Sequence, residues 1–199
     1  IEKALQELEK NFDGMILSGN PRNFCVGANL NTLVDAYEKK DFKPVEEDIK
    51  TFQNLVMHIK YCEKPVVAAP AGNALGGGAE ICLHTAGIQA DAEAHIGLVE
   101  PGIGLIPSGG GTKEMLIRAT ESLPSTFNGD MMPFIKRAFD CVFPGKAASC
   151  AADAQQTGLL RMQDNWTMNT DYLLSDAKNA VSSIIKAGYK APVKRQIKV

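Results

Sequence analysis

The chain has 199 residues, of which 45% are hydrophobic and 22% charged, and its 21 Lys and Arg against 23 Asp and Glu give a net charge of −2. These values are typical of a globular domain, and they exclude a disordered, collagen-like or coiled-coil chain. A nearly neutral chain offers no broad attraction for nucleic acid, so we expect no nucleic-acid partner. No apolar run approaches the roughly 18 residues that a membrane-spanning helix needs, so we expect no membrane partner either.

The cysteines indicate the cellular compartment of the protein, and the N-terminus indicates how the chain relates to a longer polypeptide. The five cysteines are scattered and form no CxxC pair; they are Cys25, Cys62, Cys82, Cys141 and Cys150. This usage favours reduced thiols in the cytoplasm over a disulfide framework or a metal site. The sequence begins at Ile1 without a Met or a signal-peptide pattern, and we interpret this start as an interior point of a longer polypeptide.

The first part of the chain shows helical periodicity and two apolar runs. Apolar residues recur at the spacing of one helix face up to Phe12, which predicts an amphipathic helix, and a short buried strand is predicted at 15–17. The mixed-charge stretch 35–48 predicts a solvated loop with helical pieces, and a helix follows through 52–59. The run 66–69 predicts a strand buried on both faces.

Helical patterns dominate the second half. The remaining predicted elements are short strands at 88–90 and 95–97 and helices at 112–119, 134–143, 147–156 and 171–187. Strands that alternate with helices, followed by helices alone, are typical of an α/β fold with a parallel sheet and a helical C-terminal layer. We therefore divide the chain into a core of residues 1–123 and a helical C-terminal region of residues 124–199.

Two glycine clusters, Gly76–Gly78 and Gly109–Gly111, precede predicted helices. Glycine-rich loops at helix N-termini can direct backbone N–H groups at an anion. Neither cluster belongs to a nucleotide-binding motif, because Gly110 stands where a P-loop requires Lys and Pro107 stands at the third glycine of a dinucleotide fingerprint.

Two carboxylates are the better candidates for chemistry. Glu80 follows Gly76–Gly78 at the start of a predicted helix, and Glu100 ends a predicted strand. Both have apolar neighbours in sequence, where a carboxylate is costly unless it is paired or its pKa rises. Two convergent carboxyls beside N–H donors would make a general acid/base site, whereas the alternative is a capping Glu80 and a salt-bridged Glu100. His84, one helical turn after Glu80, could touch the same site.

Three segments resemble the crotonase (enoyl-CoA hydratase/isomerase) family in order and spacing. They are NFCVGANL at 23–30, KPVVAA and ALGGGAE at 64–69 and 74–80, and GLVE, GLIP and GGGT between 97 and 112. The resemblance implies a crotonase-like ββα spiral whose N-terminal strands would precede Ile1 and be missing from this chain. The stretches 106–114 and 156–189 further resemble the crotonase portion of fused 3-hydroxyacyl-CoA dehydrogenases.

The resemblance implies a role for each matched residue. Glu80 and Glu100 would be catalytic, Glu80 mainly activating water and Glu100 mainly giving a proton to the α-carbon, although either could be the acid or the base. The backbone N–H groups of Ala28 and Gly77 would form an oxyanion hole, where fixed donors stabilise the charge that develops on the thioester oxygen. Asn29 stands where the family commonly has Asp, but the backbone donor at Ala28 does not depend on it. Further positions matched to substrate binding are Val26, Gly27, Leu75, Gly76, Gly104 and Pro107.

The implied function is hydration of a trans-2-enoyl-CoA in fatty-acid β-oxidation, as part of a 3-hydroxyacyl-CoA dehydrogenase polypeptide. The chain itself would bind no cofactor, since CoA arrives as the thioester substrate and NAD would serve only a dehydrogenase region outside this chain. The family also implies a homo-oligomer, either a trimer or a hexamer, or docking onto that dehydrogenase region. Two alternatives stay open: a Δ3,Δ2-enoyl-CoA isomerase in which Glu100 moves one proton, and a non-catalytic acyl-CoA-binding or docking domain.

Overall fold

The computed structural model describes residues 1–20, 22–124 and 126–194, and in this part of the chain the strands form two parallel sheets. The first sheet has the order β1 (Met15–Ser18), β3 (Val66–Ala69), β5 (Gly87–Asp91) and β7 (Asn165–Thr167). The second has the order β2 (Asn23–Cys25), β4 (Asn73–Leu75) and β6 (His95–Gly97). Successive strands alternate between the sheets, so the predicted parallel α/β architecture is confirmed.

Helices surround the sheets and connect their strands. They are α1 (Glu2–Asn11), α2 (Leu30–Lys39), α3 (Lys43–Tyr61), α4 (Gly77–Leu83), α5 (Gly111–Ala119), α6 (Met132–Val142), α7 (Ala151–Thr157) and α8 (Leu173–Lys186). Short 3₁₀ turns occupy Glu100–Ile103 and Thr170–Tyr172. Over the described ranges, no helix combines the length and the apolarity needed to cross a membrane.

The short helix α4 is the buried element that positions the candidate site. From Gly78 to Leu83 every residue of α4 is buried, and Ala79, Cys82 and Leu83 pack in one apolar cluster with residues of β4 and β6. The helix lies very close to β2, since a Cβ on Gly78 would come 2.2 Å from the carbonyl oxygen of Cys25. Only glycine permits that approach, so Gly78 fixes the distance between α4 and the second sheet.

The structure corrects one sequence-based expectation and adds two strands that sequence patterns do not indicate. The stretch 35–48 is not a loop, because it contains the end of α2 and the start of α3. Its low hydrophobicity reflects exposed helix faces, and α2 buries only Ala36. The strands β2 and β4 were not predicted, since three residues are too few for a period-two pattern to show.

The region beyond residue 124 is not helical alone. The strand β7 lies beside β5 in the first sheet, and α8 covers that sheet by packing Leu173, Ala177 and Val181 against Val67 and Ala69. Sequence patterns missed β7 because it has only three residues and two of them are exposed. The division into residues 1–123 and 124–199 stays a prediction, with β7 and α8 as the elements that join the later part to the core.

Candidate active site

The carboxyl group of Glu80 is buried against the N-terminus of α5. Glu80 lies in the first turn of α4, is 2% exposed, and its Oε1 accepts a hydrogen bond of 2.8 Å from the N–H of Gly111. Because Gly111 is the first residue of α5, the carboxylate lies at the positive end of that helix dipole. The anion that this glycine loop receives is therefore a side chain of the protein itself.

The surroundings of Glu80 bring the pKa of its carboxyl group close to neutral pH. Burial raises the pKa of Glu80 to about 7, and the nearby carboxyl of Glu100 raises it as well. Hydrogen bonds from the N–H groups of Gly109, Gly110 and Gly111 act in the opposite direction. A carboxyl group with this pKa can both accept and donate a proton at physiological pH, which is what a general acid/base needs.

Glu100 follows the second sheet and lies close to the start of α4. It begins the 3₁₀ turn three residues after β6 ends, rather than ending the strand as expected. A Cβ on Gly76, the residue before α4, would lie 3.0 Å from Oε1 of Glu100. Burial raises the pKa of Glu100, and its Oε2 is buried with no hydrogen-bond partner among the described residues. Such an orphaned oxygen is costly and is available to a ligand.

The structural alternative, a capping Glu80 and a salt-bridged Glu100, is met in one half only. Glu80 accepts a hydrogen bond at the N-terminus of α5, although it does not cap its own helix, whose N-cap residue is Gly76. Within the described ranges, no cation forms a salt bridge with Glu80 or Glu100. Both buried carboxyls therefore lack a cationic partner in this part of the chain, and a buried carboxylate without one is costly.

The two predicted oxyanion donors lie in adjoining segments. A Cβ on Gly27 would lie 3.6 Å from the nitrogen of Gly77 and 3.3 Å from the carbonyl oxygen of Leu75. Ala28 follows Gly27 directly, and Gly77 begins α4, where N–H groups lack partners within the helix. The N–H groups of Ala28 and Gly77 have no hydrogen-bond acceptor in the described part of the chain.

Most of the predicted substrate-binding positions gather around these two segments. Gly27, Leu75 and Gly76 are in mutual contact, and Val26 beside them is 59% exposed. Pro107 is buried in the loop that leads to α5. Gly104 faces open space, since a Cβ there would meet no atom within 4 Å.

Phe52 of α3 is a site residue that the sequence analysis did not single out. A Cβ on Gly109 would lie 2.3 Å from its ring and 2.4 Å from Oε2 of Glu80, and a Cβ on Gly77 would lie 3.3 Å from the same ring. The phenyl ring thus lies close to both Gly77 and the glycine loop that contacts Glu80. Its only sequence signal was membership of the apolar stripe of α3, which does not distinguish a site residue from a core residue.

A second buried polar cluster lies next to Glu80 and contacts it through His84. It consists of Lys60 of α3, His84 at the end of α4, and Lys113 and Glu114 of α5. Both oxygens of Glu114 lie 2.6 Å from Nζ of Lys60, and Oε1 also lies 2.7 Å from Nζ of Lys113. Burial acts to raise the pKa of Glu114, but the neighbouring His84, Lys113 and Lys60 outweigh it, so the pKa is lowered. Of the four residues, sequence patterns indicate only His84 as a candidate neighbour of Glu80.

Comparisons with known proteins identify the family of the chain. A family model described as enoyl-CoA hydratase/isomerase matches residues 1–123. The chain is 31% identical over 145 residues, 73% of its length, to 2,3-dehydroadipyl-CoA hydratase of Escherichia coli (strain K12), covering 49% of that protein. It aligns with the crystal structure of an enoyl-CoA hydratase from Polaromonas sp. JS666 with a TM-score of 0.72 and 25% identity, covering 92% of this chain and 64% of the other. The chain belongs to the enoyl-CoA hydratase/isomerase (crotonase) family.

The finer resemblance to fused dehydrogenases is also confirmed. Over all 199 residues the chain is 41% identical to a probable 3-hydroxyacyl-CoA dehydrogenase of Bacillus subtilis (strain 168), of which it covers 25%. It is 30% identical over 177 residues to a putative fatty acid oxidation complex trifunctional enzyme of Rickettsia felis, covering 89% of this chain and 23% of that protein. The chain thus spans about a quarter of the length of these curated relatives.

Proposed function

We propose that this chain carries an enoyl-CoA hydratase site that adds water across the α,β double bond of a trans-2-enoyl-CoA. The observation that supports the proposal most directly is the pair formed by Glu80 and Glu100. Each carboxyl is buried, each has a raised pKa, and neither forms an ion pair among the described residues. The pair lies beside the unpartnered N–H of Gly77, which such a reaction requires.

In the proposed mechanism, the N–H groups of Ala28 and Gly77 receive the thioester oxygen. Glu80 takes a proton from water as the hydroxyl oxygen bonds to the β-carbon. The double-bond electrons move toward the carbonyl, and the resulting enolate is stabilised by the two N–H donors. Glu100 then gives a proton to the α-carbon, so one water is consumed and both of its hydrogens are accounted for once the two carboxyls re-equilibrate. Each acid/base role contributes about 10²- to 10⁴-fold in rate.

The enzyme would work as one portion of a larger β-oxidation polypeptide. The support is the similarity to a quarter of a probable 3-hydroxyacyl-CoA dehydrogenase. The product of hydration is a 3-hydroxyacyl-CoA, which is the substrate that such a dehydrogenase oxidises with NAD. In this proposal the present chain binds no cofactor, the protein is cytoplasmic, and the chain forms a trimer or hexamer or docks on the dehydrogenase region.

The test is to hydrate crotonyl-CoA with the full-length polypeptide and follow the loss of enoyl-thioester absorbance. Glu80→Gln and Glu100→Gln should each reduce turnover by at least 100-fold, while Glu47→Gln on the exposed surface of α3 should leave it unchanged. Near-normal turnover in either site variant would exclude the proposed roles. Conversion of a 3-enoyl-CoA without water addition would instead identify an isomerase, and binding of acyl-CoA without any reaction would identify a docking domain.

A further inference from the structure

The geometry points to His84 as a positioning residue that holds Glu80 through its backbone, in its neutral form with the proton on Nδ1. This inference rests on the proposed function, in which Glu80 is the carboxyl that activates water. His84 is fully buried one turn after Glu80, and none of its atoms touches the reacting groups in the proposed mechanism. Its effect would pass through the orientation of α4 and of the loop before α5.

The hydrogen bonds around the imidazole specify one tautomer. Nδ1 lies 2.6 Å from the carbonyl oxygen of Glu80, which can only accept, so Nδ1 carries the hydrogen. Nε2 lies 3.1 Å from Nζ of Lys113, which can only donate, and 3.4 Å from Oε1 of Glu114, which is longer than an ordinary N–H···O bond, so Nε2 is the acceptor. A ring with one donor and one acceptor is neutral, and burial lowers the pKa of His84 to about 4, which agrees with that state.

The groups that face His84 hold this arrangement from both neighbouring helices. Nζ of Lys113 is shared among Oε1 of Glu114 at 2.7 Å, Nε2 of His84 at 3.1 Å and Sδ of Met57 at 3.3 Å, which uses its three hydrogens. Lys60 on α3 binds both oxygens of Glu114. Glu114 therefore holds Nζ of Lys113 directed toward the ring.

These contacts and the hydrogen bond from Gly111 connect Glu80 to α5 by two separate routes. Its carboxyl is bonded to Gly111 at the start of α5, and its carbonyl is bonded to His84, which Lys113 of α5 contacts in turn. Glu80 is thus tied to α5 both through its side chain and through its main chain. Loss of the Nδ1 bond would let the first turn of α4 move relative to Gly111, and displacements of about 1 Å can reduce rates by roughly 10²-fold.

Two substitutions separate the two nitrogen atoms of the ring. His84→Asn places an amide near the position of Nδ1 and can keep the bond to the Glu80 carbonyl, whereas His84→Gln places its amide near Nε2 and loses that bond. In the full-length polypeptide we expect His84→Gln to lower kcat for crotonyl-CoA by about 10- to 100-fold with little change in KM, and His84→Asn to recover most of the loss. His95→Asn is the matched control. His95 is the first residue of β6, at the end of the strand farther from Glu100, and its Nδ1 also faces a main-chain oxygen, that of Ala148 at 3.1 Å.

A pH profile distinguishes positioning from a purely structural effect. A weaker bond from Gly111 would raise the pKa of Glu80, so the limb of the kcat profile that belongs to Glu80 should move to higher pH in His84→Gln and return in His84→Asn. The charged groups that could shift that limb directly are Glu100, Lys113, Glu114 and Lys60, and all four are unchanged in these variants. An unchanged kcat and an unchanged limb in His84→Gln would overturn the inference.

The tautomer itself is measurable without any turnover. Nitrogen-15 NMR of the imidazole in the wild-type polypeptide should show the hydrogen on Nδ1 of His84 from pH 6 to 8. A hydrogen on Nε2 would overturn the inference even if His84→Gln failed to fold. If the wild type hydrates no enoyl-CoA but shows the Nδ1 tautomer, the proposed function fails while the bond between His84 and Glu80 stands.

Discussion

The N–H of Gly111 donates a hydrogen bond of 2.8 Å to Oε1 of Glu80, and the same glycine begins the helix whose dipole faces that carboxylate. A Cβ on Gly111 would lie 2.6 Å from Cδ2 of Leu98 and 3.1 Å from Cγ of Glu80. The bond therefore depends on the absence of a side chain at one residue as much as on the charge of the other. Burial raises the pKa of the Glu80 carboxyl and this hydrogen bond lowers it. The effect of burial is the larger one, so the pKa is raised.

Gly109→Ala should abolish the proposed hydration while leaving a folded protein. The new methyl group would lie 2.4 Å from Oε2 of Glu80 and 2.3 Å from the ring of Phe52, so both must move. We expect at least a 100-fold fall in kcat for crotonyl-CoA, measured with the full-length polypeptide, because a catalytic carboxyl displaced by about 1 Å loses that much.

Gly87→Ala is the control for this substitution. A Cβ there would be 3.4 Å from Cδ1 of Ile184 and 4.0 Å from Cγ2 of Val67, which is ordinary contact with residues outside the candidate site. Turnover in Gly87→Ala should match the wild type. Normal turnover in Gly109→Ala as well would contradict the packing of the glycine loop against Glu80.

The stability of the wild type relative to Glu80→Gln should fall as the pH rises through the range from 4.5 to about 7. The pKa of Glu80 is raised from 4.5 to about 7, so the folded state binds more protons than the unfolded state in this window. Stability then decreases with increasing pH, and the buried carboxylate costs at most about 3 kcal/mol above pH 7. Urea unfolding of both proteins from pH 4 to 8 measures the difference.

Only the difference between the two proteins is informative in that experiment, since other groups titrate in both. His84 in particular has a lowered pKa and makes both proteins lose stability as the pH falls below 6.5. A constant difference between wild type and Glu80→Gln across the whole pH range would show that the carboxyl is not buried as described.

Lys60→Met should destabilise the protein strongly, and Lys50→Met should not. Lys60 is 10% exposed and pairs with a Glu114 side chain that has no exposure, whereas Lys50 pairs with Glu46 on the surface with 65% and 64% exposure. Removing one partner of a buried pair costs on the order of 3 kcal/mol. Because Lys113 remains near Glu114, the loss should stay below that of leaving the carboxylate wholly unpaired.

Urea midpoints of the two lysine variants and the wild type provide the measurement. Both lysines belong to α3 and both lose the same charge, so the comparison isolates burial. Equal midpoints in the two variants would mean that the cluster of Lys60, Lys113 and Glu114 contributes nothing specific to stability.

Sequence motifs indicate which segments come together better than they indicate what surrounds them. Glu80 and Glu100 could be found because short motifs surround them, and the segments of Ala28 and Gly77 were matched in the same way. Phe52, Lys60 and Glu114 could not be found, because each acquires its meaning from a residue more than 25 positions away, as in the pair of Lys60 and Glu114, which are 54 apart. Local patterns also misjudged 35–48, where helices form with few buried residues and periodicity is weak.

The strand β7 has a consequence for how the chain acquires its fold on the ribosome. Until residues 165–167 emerge, β5 is the outer strand of the first sheet, and four of its five residues are ones that the finished protein buries. A nascent chain that ends before this point presents an unpaired strand edge, the kind of edge that promotes association between chains. Asp164 accepts the N–H of Ile88 at 2.9 Å, so the residue next to β7 also secures the start of that edge. The segment from Asp164 onward therefore completes the first sheet, and a chain truncated after residue 160 would leave the edge of β5 unpaired.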